Sequence, residues 1–213
     1  MTFAALLPLL SNAHAASAVQ AVHLSPDAPN VDIWVNGVRA LEDVPYLGVT
    51  PSVVVQPGSY DLALSVTGDA NAVLGGTVDV ADRTAYTMVA WDAVSNLTPA
   101  VLTNDVRGLA RGSIRLQVSH GAVGVGTVDL WELSTGTKLV DDFQWGDTTR
   151  LDVPRGELAL GLDLDEDAVP DVTFSVPDLG ANTIVNVFAI NDADGVALFA
   201  VYPDGTTARV NAD

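Results

Sequence analysis

Three observations predict an all-β chain made of two tandem β-sandwich domains. Apolar and polar residues alternate over short runs, turn dipeptides interrupt those runs about every ten residues, and the second half of the chain repeats the first. The alternation is clearest in Val31-Asp32-Ile33-Trp34-Val35, which runs into an Asn36-Gly37 turn, and in Tyr60-Asp61-Leu62-Ala63-Leu64-Ser65-Val66, which runs into Gly68-Asp69. Val53-Val54-Val55 likewise stops at Pro57-Gly58. No window of a dozen residues has the period of an amphipathic helix, and short, evenly spaced strands are the pattern of a sandwich or barrel.

The repeat appears when one half is slid over the other by 97 or 98 residues. Val31-Asp32-Ile33-Trp34 meets Val128-Asp129-Leu130-Trp131, and His23, nine residues before Asp32, meets His120, nine before Asp129. Farther on, Tyr46-Leu47-Gly48 meets Trp145-Gly146 at the glycine, Leu62-Ala63-Leu64 meets Leu158-Ala159-Leu160, and the strand Tyr86 to Trp91 meets Ile184 to Ile190. A chain of 213 residues divides naturally into two domains of about a hundred residues. Expected boundaries are 1–18 for a signal-peptide-like segment, 19–108 for the first sandwich and 112–213 for the second. The short connection Arg107-Gly108-Leu109-Ala110-Arg111-Gly112 suggests two sandwiches end to end as a semi-rigid rod.

Composition narrows the function. Hydrophobic types are 48% of the chain and charged ones 17%, which supports folded cores. Net charge is −18, from 27 acidic against nine basic residues, and Lys138 is the one lysine. Binding nucleic acid requires a basic stripe that displaces counterions, so a nucleic-acid partner is not expected. The acidity fits either general solubility or adaptation to salty surroundings that screen self-repulsion. With no cysteine, disulfides, thiolate metal sites and an N-terminal lipid-anchored cysteine are all excluded.

Phe3 to Leu10 is a short apolar run, followed by Ala13-x-Ala15, the small-residue spacing of a signal-peptidase site. Export to the secreted fraction or the cell envelope is therefore expected. The basic residues that usually precede such a run are missing, so the natural start is expected upstream of Met1. No other segment is long and apolar enough for a membrane span.

Val22-His23-Leu24-Ser25-Pro26-Asp27-Ala28-Pro29-Asn30-Val31-Asp32-Ile33-Trp34-Val35-Asn36-Gly37 resembles the opening of the family known as domain of unknown function 4397, whose pattern reads V-H-x-S-P-D-A-P-x-V-D-V-Y-x-x-G. Val44-Pro45-Tyr46, Val55 to Tyr60 and the Tyr86 to Trp91 strand extend the resemblance over most of Val19 to Asp105. The second half keeps His120 and Val128 to Trp131 but has Gly121-Ala122-Val123-Gly124-Val125-Gly126 in place of Ser-Pro-Asp-Ala-Pro, so it reads as a divergent copy. The resemblance implies immunoglobulin-like or related β-sandwich modules, often in tandem, in exported proteins without an established catalytic activity.

Four constellations carry chemistry. The His-x8-Asp pairs, His23 with Asp32 and His120 with Asp129, could form a metal site or an acid–base dyad. Because both halves keep them while the adjoining loops differ, they read better as structural pairs, with a buried imidazole donating to a carboxylate on a neighbouring strand. Ser25-Pro26-Asp27-Ala28-Pro29 lacks a glycine-framed serine elbow and reads as a stiffened connection whose Asp27 accepts backbone N–H groups. Trp34 and Trp131 share a strand position and read as sheet-face packing, whereas Trp145 and Tyr46 lie near loops where a ligand could stack.

The acidic stretch Asp163-Leu164-Asp165-Glu166-Asp167-Ala168-Val169-Pro170-Asp171 is the sharpest of the four. Asp163, Asp165, Asp167 and Asp171 could converge on one calcium ion, which takes about six to eight oxygens. The competing reading is a solvated hairpin tip. No nucleophile, base and oxyanion-donor set is legible, and a hydrolase built on His23 and Asp32 would need an open cleft beside a nucleophile. The expected role is a non-enzymatic structural or adhesive protein engaging a cell-surface or matrix component. The alternative is an extracellular glycan- or peptide-binding module.

Overall fold

The computed structural model describes residues 16–193 and 195–213, and the signal-like run up to Ala15 lies outside them. Strands fill the chain, β1 to β17, and the helical content among the described residues is the one-turn 3-10 segment Val94–Asn96. The first sandwich comprises β1 (Ser17–Leu24), β2 (Val31–Val35), β3 (Val38–Val44), β4 (Val53–Val55), β5 (Gly58–Val66), β6 (Ala72–Val80), β7 (Ala85–Trp91) and β8 (Thr98–Asn104). The second comprises β9 (Ser113–His120), β10 (Val128–Glu132), β11 (Thr137–Phe143), β12 (Thr148–Pro154), β13 (Leu158–Asp163), β14 (Val172–Val176), β15 (Ile184–Asp192), β16 (Gly195–Val201) and β17 (Thr207–Val210).

Four sheets result, and the two sandwiches share one strand order. β3-β2-β5-β6 faces β4-β1-β7-β8 in the first, and β11-β10-β13-β14 faces β12-β9-β15-β16-β17 in the second. All pairings are antiparallel except β1 with β7 and β9 with β15, which run parallel in the middle of their sheets. The registers correspond as well: Asp32 opposes Ser65 as Asp129 opposes Asp163, and Leu62 opposes Gly76 as Leu160 opposes Phe174.

The two sandwiches do not lie end to end. The β4-β1-β7-β8 sheet packs its second face against the second face of β12-β9-β15-β16-β17, so the four sheets form one stack. Alternation along the central strands explains this. In β15, Val185, Val187 and Ala189 point into the second sandwich, while Phe188 and Ile190 join Val22, Leu24, Val89, Trp91 and Leu102 of the first in a shared core. Ala197, Phe199 and Val201 of β16 complete it. Trp91 sits at its rim, 5.9 Å from the Trp145 ring and edge-on to Phe188 at 6.4 Å. A buried polar ladder crosses beside the apolar patch. Asn186 Nδ2 donates to Thr87 Oγ1 and Asn104 Oδ1 at 3.0 Å each, Gln20 Nε2 to Thr87 Oγ1 at 2.9 Å, and Gln117 Nε2 to Asn186 Oδ1 at 2.8 Å. Such groups are buried cheaply only when they satisfy one another, so the ladder fixes the alignment of the two sheets.

The same contact bears on Gly121, which follows His120 as Leu24 follows His23. A Cβ at Gly121 would lie 3.2 Å from the Trp91 ring and 3.2 Å from the Ala189 carbonyl oxygen, so a larger residue there would make Trp91 give way by a few tenths of an ångström.

The interiors differ. The second sandwich closes around Phe143, Phe174, Leu160, Leu162 and their neighbours. The first leaves a cleft of about 450 Å³ between its sheets, lined by Val31, Ile33, Leu64, Met88 and Val101 among others.

Candidate functional site

The repeated aspartate is a structural anchor. Asp32 is buried, and its Oδ1 accepts from the Asp43 amide and the Thr67 hydroxyl, each at 3.0 Å. Its Oδ2 accepts from Arg39 Nη1 at 3.2 Å and from the Gly68 amide at 3.4 Å. Asp129 does the same work, with Oδ1 on the Asp142 amide at 2.9 Å and Oδ2 paired to Lys138 Nζ. Asp43 and Asp142 both have positive φ, at the register shifts where β3 and β11 bulge, so each buried carboxylate pins a strained turn of the next strand. The cation opposite each carboxylate also covers a tryptophan, Arg39 over Trp34 at 5.6 Å and Lys138 over Trp131 at 5.3 Å. The Asp43 amide is the main influence holding Asp32 below the usual carboxylate range, and Lys138 is the main one for Asp129.

The histidines are not the partners of these aspartates. β1 and β2 lie in different sheets, as do β9 and β10, so the spacing of nine residues carries the chain across the sandwich. Among the described residues no hydrogen bond joins His23 to Asp32 or His120 to Asp129, which corrects the expected pairing. His120 Nε2 is 2.9 Å from the Gly126 carbonyl oxygen. His23 Nδ1 accepts from the Ser25 amide at 3.5 Å. Its Nε2 has no partner within hydrogen-bond geometry, although the Pro29 and Ala90 carbonyls lie near the ring. Burial lowers the pKa of both imidazoles and favours their neutral forms.

Asp27, in the Ser-Pro-Asp-Ala-Pro loop, accepts from the Val94 amide at 2.8 Å and so ties that loop to the turn between β7 and β8. Trp145 and Tyr46 are both half-buried at the seam between the sandwiches. Trp145 packs on Trp91, and the Tyr46 hydroxyl donates to the Asn191 carbonyl at 3.2 Å.

The acidic loop is wound around one buried carboxylate. Asp163 Oδ1 accepts from the Glu166 amide at 2.8 Å and Oδ2 from the Ala168 amide at 2.9 Å. Glu166 and Ala168 take positive φ to aim those amides inward. Pro170 closes the loop over β13 at Gly161, where a Cβ would meet Pro170 Cβ at 2.6 Å. Carboxylate oxygens of Asp163, Asp165 and Asp167 lie within 4.8 Å of one another. Two oxygens bound at about 2.4 Å to one ion can be no more than about 4.8 Å apart, and the spacing of these three meets that limit. Asp171 stands outside the group and accepts from the Leu164 amide at 2.7 Å.

A second triad, Asp129, Asp141 and Asp142, has similar spacing, but Lys138 Nζ already bridges Asp129 and Asp141. The Asp163 loop has no ion pair to a basic side chain among the described residues. Asp163 also occupies the position of Ser65, whose hydroxyl accepts from Trp34 Nε1 at 2.9 Å, whereas Trp131 Nε1 is buried without a partner. The second sandwich has given up that bond to shape the loop.

These features define an all-β protein of two stacked sandwiches, each organised by a buried aspartate under a cation–tryptophan pair. The chain belongs to the family described as Domain of unknown function (DUF4397), whose model matches residues 17–131, just over half its length. No curated protein matches it. Among solved structures, one described as "The Bacillus anthracis TIE protein" aligns at 10% identity and a TM-score of 0.27, over 83% of this chain and 34% of that one. This chain thus spans about a third of that protein's length. Among the described residues no helix is long and apolar enough to cross a membrane.

Proposed function

We propose that the chain is a non-enzymatic secreted or cell-envelope protein with a structural or adhesive role toward a cell-surface or extracellular-matrix component. In this reading it holds two copies of the family domain, the second divergent, fused into one rigid unit. The observation that carries it is the shared core around Trp91 and Phe188, which couples the modules as a load-transmitting block and leaves their outer sheets, with Trp34 and Trp131, facing away from each other. The signal-like start supports export. A glycan- or peptide-binding role gains no support from Trp145 and Tyr46, which are engaged at the seam.

Fractionation of the source cells with mapping of the N-terminus tests the reading. The chain is expected in the medium or the envelope, beginning near Ala15, and recovery from the cytoplasm with Met1 retained overturns it.

Calcium stiffening of the second sandwich belongs to the same proposal. Asp163, Asp165 and Asp167 would hold the ion, which would offset the repulsion between Asp163 and its cross-strand neighbour Asp129. Above the dissociation constant, each tenfold rise in calcium is expected to add about 1.4 kcal/mol of stability, read as a rising melting temperature. Asp165→Asn with Asp167→Asn should abolish that rise, and a melting temperature indifferent to calcium in the unsubstituted protein removes the site.

A further inference from the structure

The cleft inside the first sandwich is the feature least explained by a structural role. Its strands correspond one for one with those of the second sandwich, yet the second interior is filled and the first is not. The register shows why. Gly76 occupies the position of Phe174, which is 1% exposed, and Val44 that of Phe143. Ala21, opposite Met88, stands where Val118 opposes Val187.

The second sandwich also has β17, which pairs with β16 and turns Ala208 and Val210 toward the core. The first has no equivalent, since after β8 the chain leaves for the second domain. Val101 is consequently 43% exposed, whereas Ala200, its counterpart under β17, is 3% exposed. The cleft is thus an apolar space of about 450 Å³ with open access, within the size range of roughly 300–1,000 Å³ typical of small-molecule sites. Natural interiors are close-packed, and an unfilled void of this size destabilises the fold that surrounds it. A Cβ added at Gly76 would meet nothing within 4 Å, so nothing in the backbone prevents a larger residue there.

We propose that this cleft binds an uncharged aliphatic chain, of the fatty-alcohol or fatty-ester class. Its lining is almost wholly apolar and holds no carboxylate, ammonium or guanidinium. Among its polar side chains, Thr50 and Thr77 spend their hydroxyls on protein partners, and Gln20 turns its amide to Thr87. His23 is 2% exposed and its Nε2 is buried, so it offers no accessible donor to the cleft. A carboxylate or phosphate headgroup would meet no cation in the cleft, on a protein of net charge −18. The filled second sandwich is the ligand-free version of the same architecture.

The test uses the full chain and the neutral fluorophore N-phenyl-1-naphthylamine, with 1-dodecanol and dodecanoate as competitors. One fluorophore is expected to bind per chain and to be displaced by 1-dodecanol at a concentration at least about tenfold below that of dodecanoate. Gly76→Phe, which places the Phe174 side chain in the cleft, should weaken binding at least about tenfold while the melting temperature holds or rises. Ala21→Leu serves the same purpose from the opposite sheet if Gly76→Phe does not fold. Absence of binding, equal binding by the filled variant, or equal displacement by dodecanoate overturns the proposal. Displacement by a peptide with the sequence of residues 206–211 but not by 1-dodecanol also overturns it, in favour of a donated strand along β8.

Discussion

Trp91→Ala is expected to cost about 3–5 kcal/mol, the range for truncating a buried aromatic side chain. Trp91 is 2% exposed and reaches from the first sandwich onto three residues of the second, Trp145, Phe188 and Gly121. Its removal leaves a cavity that Gly121 cannot fill and detaches the ring that anchors one rim of the shared core. Because the loss falls between domains, the unfolding profile should change shape as well as midpoint. One cooperative transition in urea should become two, as the sandwiches unfold separately. A single transition with an unchanged midpoint would show that the sheets are held together by something other than this core.

Phe174→Ala is expected to cost a similar amount, about 3–5 kcal/mol, but within the second sandwich alone. Phe174 is 1% exposed, opposite Leu160 on β14, at the position where the first sandwich has Gly76. The substitution should give the second sandwich a cleft like that of the first, seen as a lower denaturation midpoint together with binding of an apolar fluorophore that the unsubstituted second sandwich does not take up. A loss below about 1 kcal/mol would mean that the sheets close over the vacancy, as relaxing cores do. In that case the openness of the first sandwich would need a cause other than Gly76.

The strands and the two-domain division were legible because turn dipeptides such as Asn36-Gly37 and the repeated Val-Asp-x-Trp segment are local signals. The side-by-side arrangement was not read from the short connection at 105–112, since a linker's length does not say which surfaces meet. A signal for it was nevertheless present: Val185-Asn186-Val187-Phe188-Ala189-Ile190 and Val196-Ala197-Leu198-Phe199-Ala200-Val201 do not alternate as half-exposed strands do, and near-continuous apolar strands are buried on both faces. The expected His–Asp pairs failed because nine residues of spacing includes the loop that moves the chain from one sheet to the other. In the acidic loop, alternate spacing did bring Asp163, Asp165 and Asp167 together, but Asp171 was drawn off by the fold of Pro170 over Gly161. The cleft was invisible because Gly76 matters only through a cross-strand register, which sequence spacing alone does not supply.

The parallel pairing of β1 with β7 has a consequence for the timing of folding. β1 is an interior strand of its sheet, and its partner residue across the ladder lies 67 positions later, as with Gln20 and Thr87. No stable sheet can therefore assemble around the N-terminal strand until nearly the whole module has been made. Topologies dominated by such distant pairings fold slowly, because the chain must close a long loop before any contact rewards it. β1 thus waits unpaired on its β7 side through most of the module's synthesis, while the local hairpins β2–β3 and β5–β6 can form without it.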